Sequence, residues 1–295
     1  MRAARIRDWA RFSIERSNPV RPWWLAAGRR AEARAAACRL LAIGMASTAV
    51  SAIEAERRAR GFEGAPEAGF DGGRGRGVER GWKAQLAGRM RGHPLLTFIG
   101  TSAFIFIFFL GYFYVQRYPA FVSTVMPLTS LDRWISFQPL ALIAYLSLWI
   151  YVGAGPGLQA TRTDMLAYAL WMGALCVTGL TIFYVLPTQV ADVIGTESNS
   201  IFFRALDRVD ASGNACPSMH VAAAVFTAIR VDDVLRVVRS PLFVRLLNLA
   251  ACALICYSTL AIKQHVVLDV VAGALLGALF AGLSRLAWRA APVAA

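Results

Sequence analysis

The sequence predicts an all-α fold, a polytopic membrane helical bundle with a core of six transmembrane helices. Three observations carry that expectation. Apolar residues make up 57% of the 295-residue chain. Its mean hydropathy is +0.50. Several uncharged runs reach the ~20 residues that cross a bilayer. A spanning segment has no water to bond, so each run must satisfy its own backbone and is expected as a helix.

The first run, residues 94–115, is rich in aromatic residues and carries no charge. Residues 137–152 come next and run into Gly153-Ala154-Gly155-Pro156-Gly157, expected as a breaker. The third run, 165–186, is closed by Pro187. The fourth starts at Pro217 and ends near Val231; its apolar part is short, so it is expected to extend through Asp232 and Asp233 at the interface. The fifth, 242–262, has Arg245 near its start, and the sixth, 266–288, is rich in Ala and Gly.

Residues 1–93 differ in kind. They are rich in Arg, Ala and Gly and are expected as a basic region, largely disordered or lying on the membrane surface. Within them, 2–16 mixes Arg with Ile6, Trp9, Phe12 and Ile14, a pattern open to a basic amphipathic helix on anionic lipid. Residues 40–53 are apolar but short for a span, and 61–81 form a Gly/Arg-rich linker. The first sixteen residues lack an uninterrupted apolar core, so no cleavable signal peptide is expected. The sharp change in composition near Met90 makes translation starts at Met90 or Met45 alternatives to Met1.

A net charge of +13 would suit a nucleic-acid binder, but its distribution does not. Most Lys and Arg precede Pro94, the rest flank apolar runs, and no basic stripe interleaves with aromatics. No nucleic-acid partner is expected. The cysteines, Cys38, Cys176, Cys216, Cys252 and Cys256, form no CxxC pair, and three lie in predicted spans. That excludes a disulfide framework or zinc site as the organising device.

Lys and Arg in the loops set the orientation. The basic amino-terminal region stays cytoplasmic. Alternating from there, Arg162, the loop with Arg230, Arg236 and Arg239, and the 289–295 tail fall inside. The loops 116–136 and 188–215 and the Lys263-Gln264 turn fall outside. The expectation is a multi-pass plasma (inner) membrane protein with both termini cytoplasmic.

Two of the three histidines, His220 and His265, then stand at the same extracytoplasmic face, each where a polar loop gives way to an apolar run. In Asn214-Ala215-Cys216-Pro217-Ser218-Met219-His220, Pro217 suits the first position of a helix, with Asn214 or Cys216 at or near the cap. Free N–H groups at such an end attract anions. Ser218 adds a hydroxyl, and His220 in the first turn is placed to protonate a leaving alkoxide. Asp269 follows His265 by four residues and is the sole carboxylate well inside any of the six runs. On a helix that spacing puts both on one face. A charge there costs roughly 2.5–3.5 kcal/mol on insertion scales, so Asp269 needs a partner. Its carboxylate would fix the imidazole tautomer and leave the other nitrogen free to attack phosphorus.

Phosphoryl transfer also needs cations on the non-bridging oxygens. Lys263, Arg204 and Arg208 are the nearby candidates, Arg208 the weakest. Ala222-Ala223-Ala224 in the fourth run, with Gly273 and Gly277 in the sixth, would let those helices approach closely.

On these residues the chain resembles the type 2 phosphatidic acid phosphatase superfamily. Pro217-Ser218-Met219-His220 is similar to that family's second motif, Pro-Ser-x-His, and Ser258 with His265 and Asp269 to its third, Ser-Arg-x5-His-x3-Asp. The resemblance covers roughly 94–288. It implies a lipid phosphate or phospholipid substrate, His265 as nucleophile, Asp269 as its orienting partner, His220 as acid and base, and a reaction without metal or other cofactor. The first motif, Lys-x6-Arg-Pro, has no match before Asn214, and Thr259 stands where the third has Arg. Lys263-Gln264-His265 looks more like the inositol phosphorylceramide synthase branch, whose members pass a headgroup between lipids. The expected function is a lipid phosphatase or phosphotransferase working through a phosphohistidine. The rivals are a headgroup transferase of that branch and a non-catalytic lipid-binding or transport protein on the same scaffold.

Overall fold

The computed structural model describes residues 81–191 and 214–290. The stretches 2–16 and 40–53, Arg204, Arg208 and the end of the tail lie outside the described residues. The described residues are mostly helical, with one small strand pair. The helices are α1 (Trp82–Gly92), α2 (Pro94–Arg117), α3 (Ser130–Trp134), α4 (Ala141–Leu146), α5 (Leu148–Gly157), α6 (Arg162–Val185), α7 (Met219–Val237), α8 (Leu242–Ala261) and α9 (Val267–Ala290). The two-residue strands, β1 (Thr124–Val125) and β2 (Thr188–Gln189), pair in parallel with Thr124 opposite Thr188.

Four of the described helices, α2, α6, α8 and α9, are long and apolar enough to cross a membrane. The other two apolar runs are helical but shorter or more charged. Residues Ala141–Gly157 form a short apolar pair of helices, and α7 carries Arg230, Asp232, Asp233 and Arg236 in its second half. Large side chains such as Phe98, Phe106, Ile107 and Tyr114 stand exposed on α2. A stripe that size in water would be a liability; facing acyl chains it is an ordinary lipid-contacting surface.

The expected breaker at 153–157 does not break the helix. Helix α5 continues through Pro156 to Gly157. Pro156 removes one N–H from the ladder just before the helix ends at Gly157, and the glycines serve close packing instead. A Cβ on Gly155 would stand 2.3 Å from the Tyr168 hydroxyl of α6, and one on Gly157 would meet Thr97 of α2 at 3.3 Å. The interruption comes earlier, at Ser147 between α4 and α5, whose Oγ turns back to donate to the Ala144 carbonyl at 2.6 Å.

Helix α7 is the centre of the bundle and touches α5, α6, α8 and α9. Its Phe226 packs with Trp171, Phe183 and Phe280 in the main core. Two of its buried polar groups are paired across helices: Thr227 with the Tyr168 hydroxyl at 2.8 Å, and the Ala228 carbonyl with Asn248 Nδ2 at 2.9 Å. At its C-terminal end Asp232 accepts from Arg236 and Arg245, each at 2.7 Å, while Asp233 holds Arg285 at 2.6 Å. These pairs tie α7, α8 and α9 at the end away from the histidines.

The closest helix contact is between α7 and α9. A Cβ on Gly273 would lie 2.3 Å from the Ser218 carbonyl oxygen, and one on Gly277 2.3 Å from that of Ala222. Two glycines one turn apart let the backbones touch, as the small residues in both runs led us to expect.

Candidate functional site

The N-termini of α7 and α9 meet at one end of the bundle. Helix α7 starts two residues later than Pro217 would have it, and neither Asn214 nor Cys216 is the cap. Ser218 is, with its Oγ accepting the Val221 N–H at 3.4 Å, because a serine oxygen can satisfy an orphan amide that proline cannot. Ser218 is fully buried, and its own N–H donates to the Asp269 carbonyl at 3.0 Å. That bond joins the two histidine-bearing segments directly. Its hydroxyl is therefore engaged in capping. Asn214 has a left-handed backbone (φ 60°), which Asn tolerates better than most residues, and its Nδ2 donates to the Tyr112 carbonyl at 3.4 Å.

His265 lies just before α9 rather than within it. The turn that carries it is fixed by the Thr259 carbonyl, which accepts the N–H groups of both Gln264 (3.1 Å) and His265 (3.2 Å). Lys263 takes the left-handed conformation there, with φ 62°. Asp269 is the third residue of the helix, and its Oδ2 reaches back to the Val266 N–H at 3.0 Å, half of a capping box. The same oxygen stands 3.6 Å from His265 Nδ1. The pair is thus made by a helix start, not by two turns of one helix face. At 3.6 Å it is a contact short of a hydrogen bond. His265 Nδ1 and Asp269 Oδ1 are buried with no hydrogen-bond partner. Such a pair is built to tighten when one member gains charge.

His220 is held by aromatic rings. Tyr145 of α4 stacks on it at 4.4 Å, its hydroxyl 3.4 Å from His220 Nδ1, and Trp149 meets it edge-on at 6.0 Å. The His220 and His265 rings stand 5.9 Å apart at 57°. Both imidazoles therefore face one small volume. They sit, with Asn214, at the end of an apolar cavity of about 590 Å³. One face of α2, including Thr101, Phe104, Phe108 and Tyr112, lines it, opposite Trp149, Met172 and Ala223. Along α2 from Gly100 to Tyr112 that is about 18 Å.

The candidate cations fare differently. Lys263 Nζ donates to the carbonyls of Asp132 (2.8 Å) and Ile135, at the C-terminal side of α3, and does not line the cavity. Thr259 is buried, its Oγ1 donating to the Cys256 carbonyl at 2.8 Å. No Lys or Arg lines the cavity among the described residues. Cys216, in the loop ahead of α7, sits beside Asp269; burial first, then that carboxylate, pushes its thiol up to about 11.

Two contributors were not singled out from the sequence. Tyr145 gave no signal beyond being one aromatic among many. Asp132 did give one: Thr129-Ser130-Leu131-Asp132 has the spacing of a capping box, and both of its bonds are present.

The family model described as PAP2 superfamily matches residues 134–283. No curated protein and no solved structure matches the chain.

Proposed function

The chain belongs to the PAP2 superfamily, and from that premise we propose that it cleaves a phosphoester or diphosphate bond of a membrane lipid through a phosphohistidine on His265. The observation that carries this reading is the approach of two imidazoles, 5.9 Å apart, at the end of a long apolar cavity. A lipid tail fills the cavity and delivers its phosphate to the rings. His265 attacks phosphorus, the P–O bond to the lipid breaks, and His220 gives the departing oxygen its proton. Asp269 then holds the cationic phosphohistidine. His220, now neutral, takes a proton from the acceptor as the P–N bond breaks. Asn214 lies at the cavity end, and Arg204, outside the described residues, is the sequence's remaining candidate for the phosphate charge; Ser218 and Lys263 support the two helix starts.

The apolar lining favours a second reading for the acceptor. A phosphohistidine facing such a cavity is shielded from water, so a lipid alcohol, as in the inositol phosphorylceramide synthase type, competes with hydrolysis. The test addresses both. Purified protein is incubated with radiolabelled lipid phosphates and denatured at alkaline pH. Label is expected on the peptide containing His265, chased by water or by an added lipid alcohol according to the acceptor. Label on no histidine, despite turnover, would remove the covalent step.

The proposed orientation places Cys216 on the extracytoplasmic face of the plasma membrane. A membrane-impermeant thiol reagent added to intact cells is expected to modify it slowly. The rate should rise about tenfold per pH unit through the neutral range, because thiolate grows that way below a pKa of about 11. Modification of Cys216 solely after permeabilisation would reverse the orientation.

A further inference from the structure

We propose that Asp132 is a positioning residue for His265: its carboxylate clamps the outer loop that carries α3 onto the first turn of α9. The inference rests on His265 being the reacting group. Asp132 is buried although its neighbours in α3, Leu131, Arg133 and Trp134, are exposed. Its Oδ2 accepts the Thr129 N–H and hydroxyl, both at 2.7 Å. Its Oδ1 crosses to the Val267 N–H at 2.8 Å. A capping box needs only the first oxygen; the second is spent on another helix, 135 residues further along the chain.

The consequence follows from where Val267 lies. Asp269 satisfies the Val266 N–H and Asp132 satisfies that of Val267. Two carboxylates therefore cap successive amides of one helix start, and His265 immediately precedes them. The clamp has further bonds on the same two segments: Lys263 Nζ to the carbonyls of Asp132 and Ile135, and the Gln138 N–H to the Ala261 carbonyl at 2.9 Å. The turn from Ala261 to Val267 is thus held on one side by Thr259 and on the other by the 132–138 loop. His265 is its one ring facing the cavity. Without Asp132 a half-buried amide loses its acceptor, and the turn can relax in the direction that carries His265 from Asp269.

The test uses the full chain in detergent and two variants that cut the same bond from opposite ends. Asp132→Ala removes the acceptor. Val267→Pro removes the donor at the first helical position, where proline is tolerated. The first readout needs no substrate: carbethoxylation of His93, His220 and His265, followed by mass spectrometry. Each variant should raise the His265 rate at least about fivefold and leave the other two within about twofold, since misplacement of a buried group acts locally. The double variant should be no worse than the worse single. The second readout is turnover of dispersed phosphatidic acid, where kcat should fall ~10–100-fold with KM nearly unchanged. An unchanged His265 rate in both folded variants, or effects that multiply in the double, would overturn the clamp. His265→Ala in the same assay separates the two ideas. Full turnover without His265 would remove it as the nucleophile, while the carbethoxylation rates would still decide the clamp.

Discussion

Replacing His265 with Ala is expected to abolish lipid phosphate turnover, by at least ~10⁴-fold, with the protein still folded and inserted in the membrane. The size follows from the kind of group removed. Deleting the nucleophile of a covalent mechanism costs as much as deleting its whole machinery, on the order of 10⁶-fold in a serine protease. The imidazole is buried and its contact with Asp269 is 3.6 Å, so no neighbouring side chain in the turn can take over the attack. Gln264 and Lys263 flank it, but Lys263 is committed to the α3 carbonyls. His220→Ala should behave differently. It removes a proton donor, worth ~10²–10⁴-fold, and the loss should shrink for substrates whose leaving group needs no proton. Asp269→Asn keeps the shape but cannot steady an imidazolium, and a loss of about 10⁴-fold by analogy with the protease triad is expected. Steady-state kinetics on one detergent-solubilised preparation, with two leaving groups, checks all three. Equal turnover by wild type and His265→Ala would remove His265 as the nucleophile.

The same residues show what the sequence made legible. A histidine, a carboxylate and a proline at the edges of apolar runs stood out because charge is expensive there. The structure brings His220 and His265 together, as their expected place on one face implies. Gly273 and Gly277 were legible for a related reason: small residues at helical spacing have few uses in lipid other than contact. The helix runs at 94–115, 165–186 and 242–262 matched observed helices closely, because length and hydropathy alone decide them. What could not be read depends on pairing across long separations. Lys263 looked like a loop cation free for phosphate, and only the placement of α3 gives its ammonium two carbonyls. The second oxygen of Asp132 likewise finds its donor, the Val267 N–H, 135 residues along the chain. The breaker at 153–157 failed because glycine has two meanings in a membrane helix, and Tyr168 selects close packing over a turn.

Gly273→Ala should cost nearly as much activity as losing an acid or base, through one methyl group placed away from either ring. Its Cβ would stand 2.3 Å from the Ser218 carbonyl oxygen and 3.2 Å from Val221. The obstacle is backbone, so no side-chain rotation relieves it. The helices must separate by on the order of 1 Å. Overpacking of this kind costs about 1–3 kcal/mol, small beside the burial that holds α7, α8 and α9 together, so the bundle should survive. The site should not. Ser218 N–H to the Asp269 carbonyl, at 3.0 Å, is the direct tie between the two helix starts, and it lies where the methyl pushes. Stretching it moves His220 away from His265, and a misplacement of that size is worth ~10²-fold. Gly282→Ala is the control, since a Cβ there meets nothing within 4 Å. It should leave turnover and melting temperature unchanged. The expected pattern is a ~10²-fold loss of kcat in Gly273→Ala, a melting temperature lowered by a few degrees, and an unaffected Gly282→Ala. If Gly273→Ala kept full activity, the α7–α9 contact would not be what sets the distance between the rings.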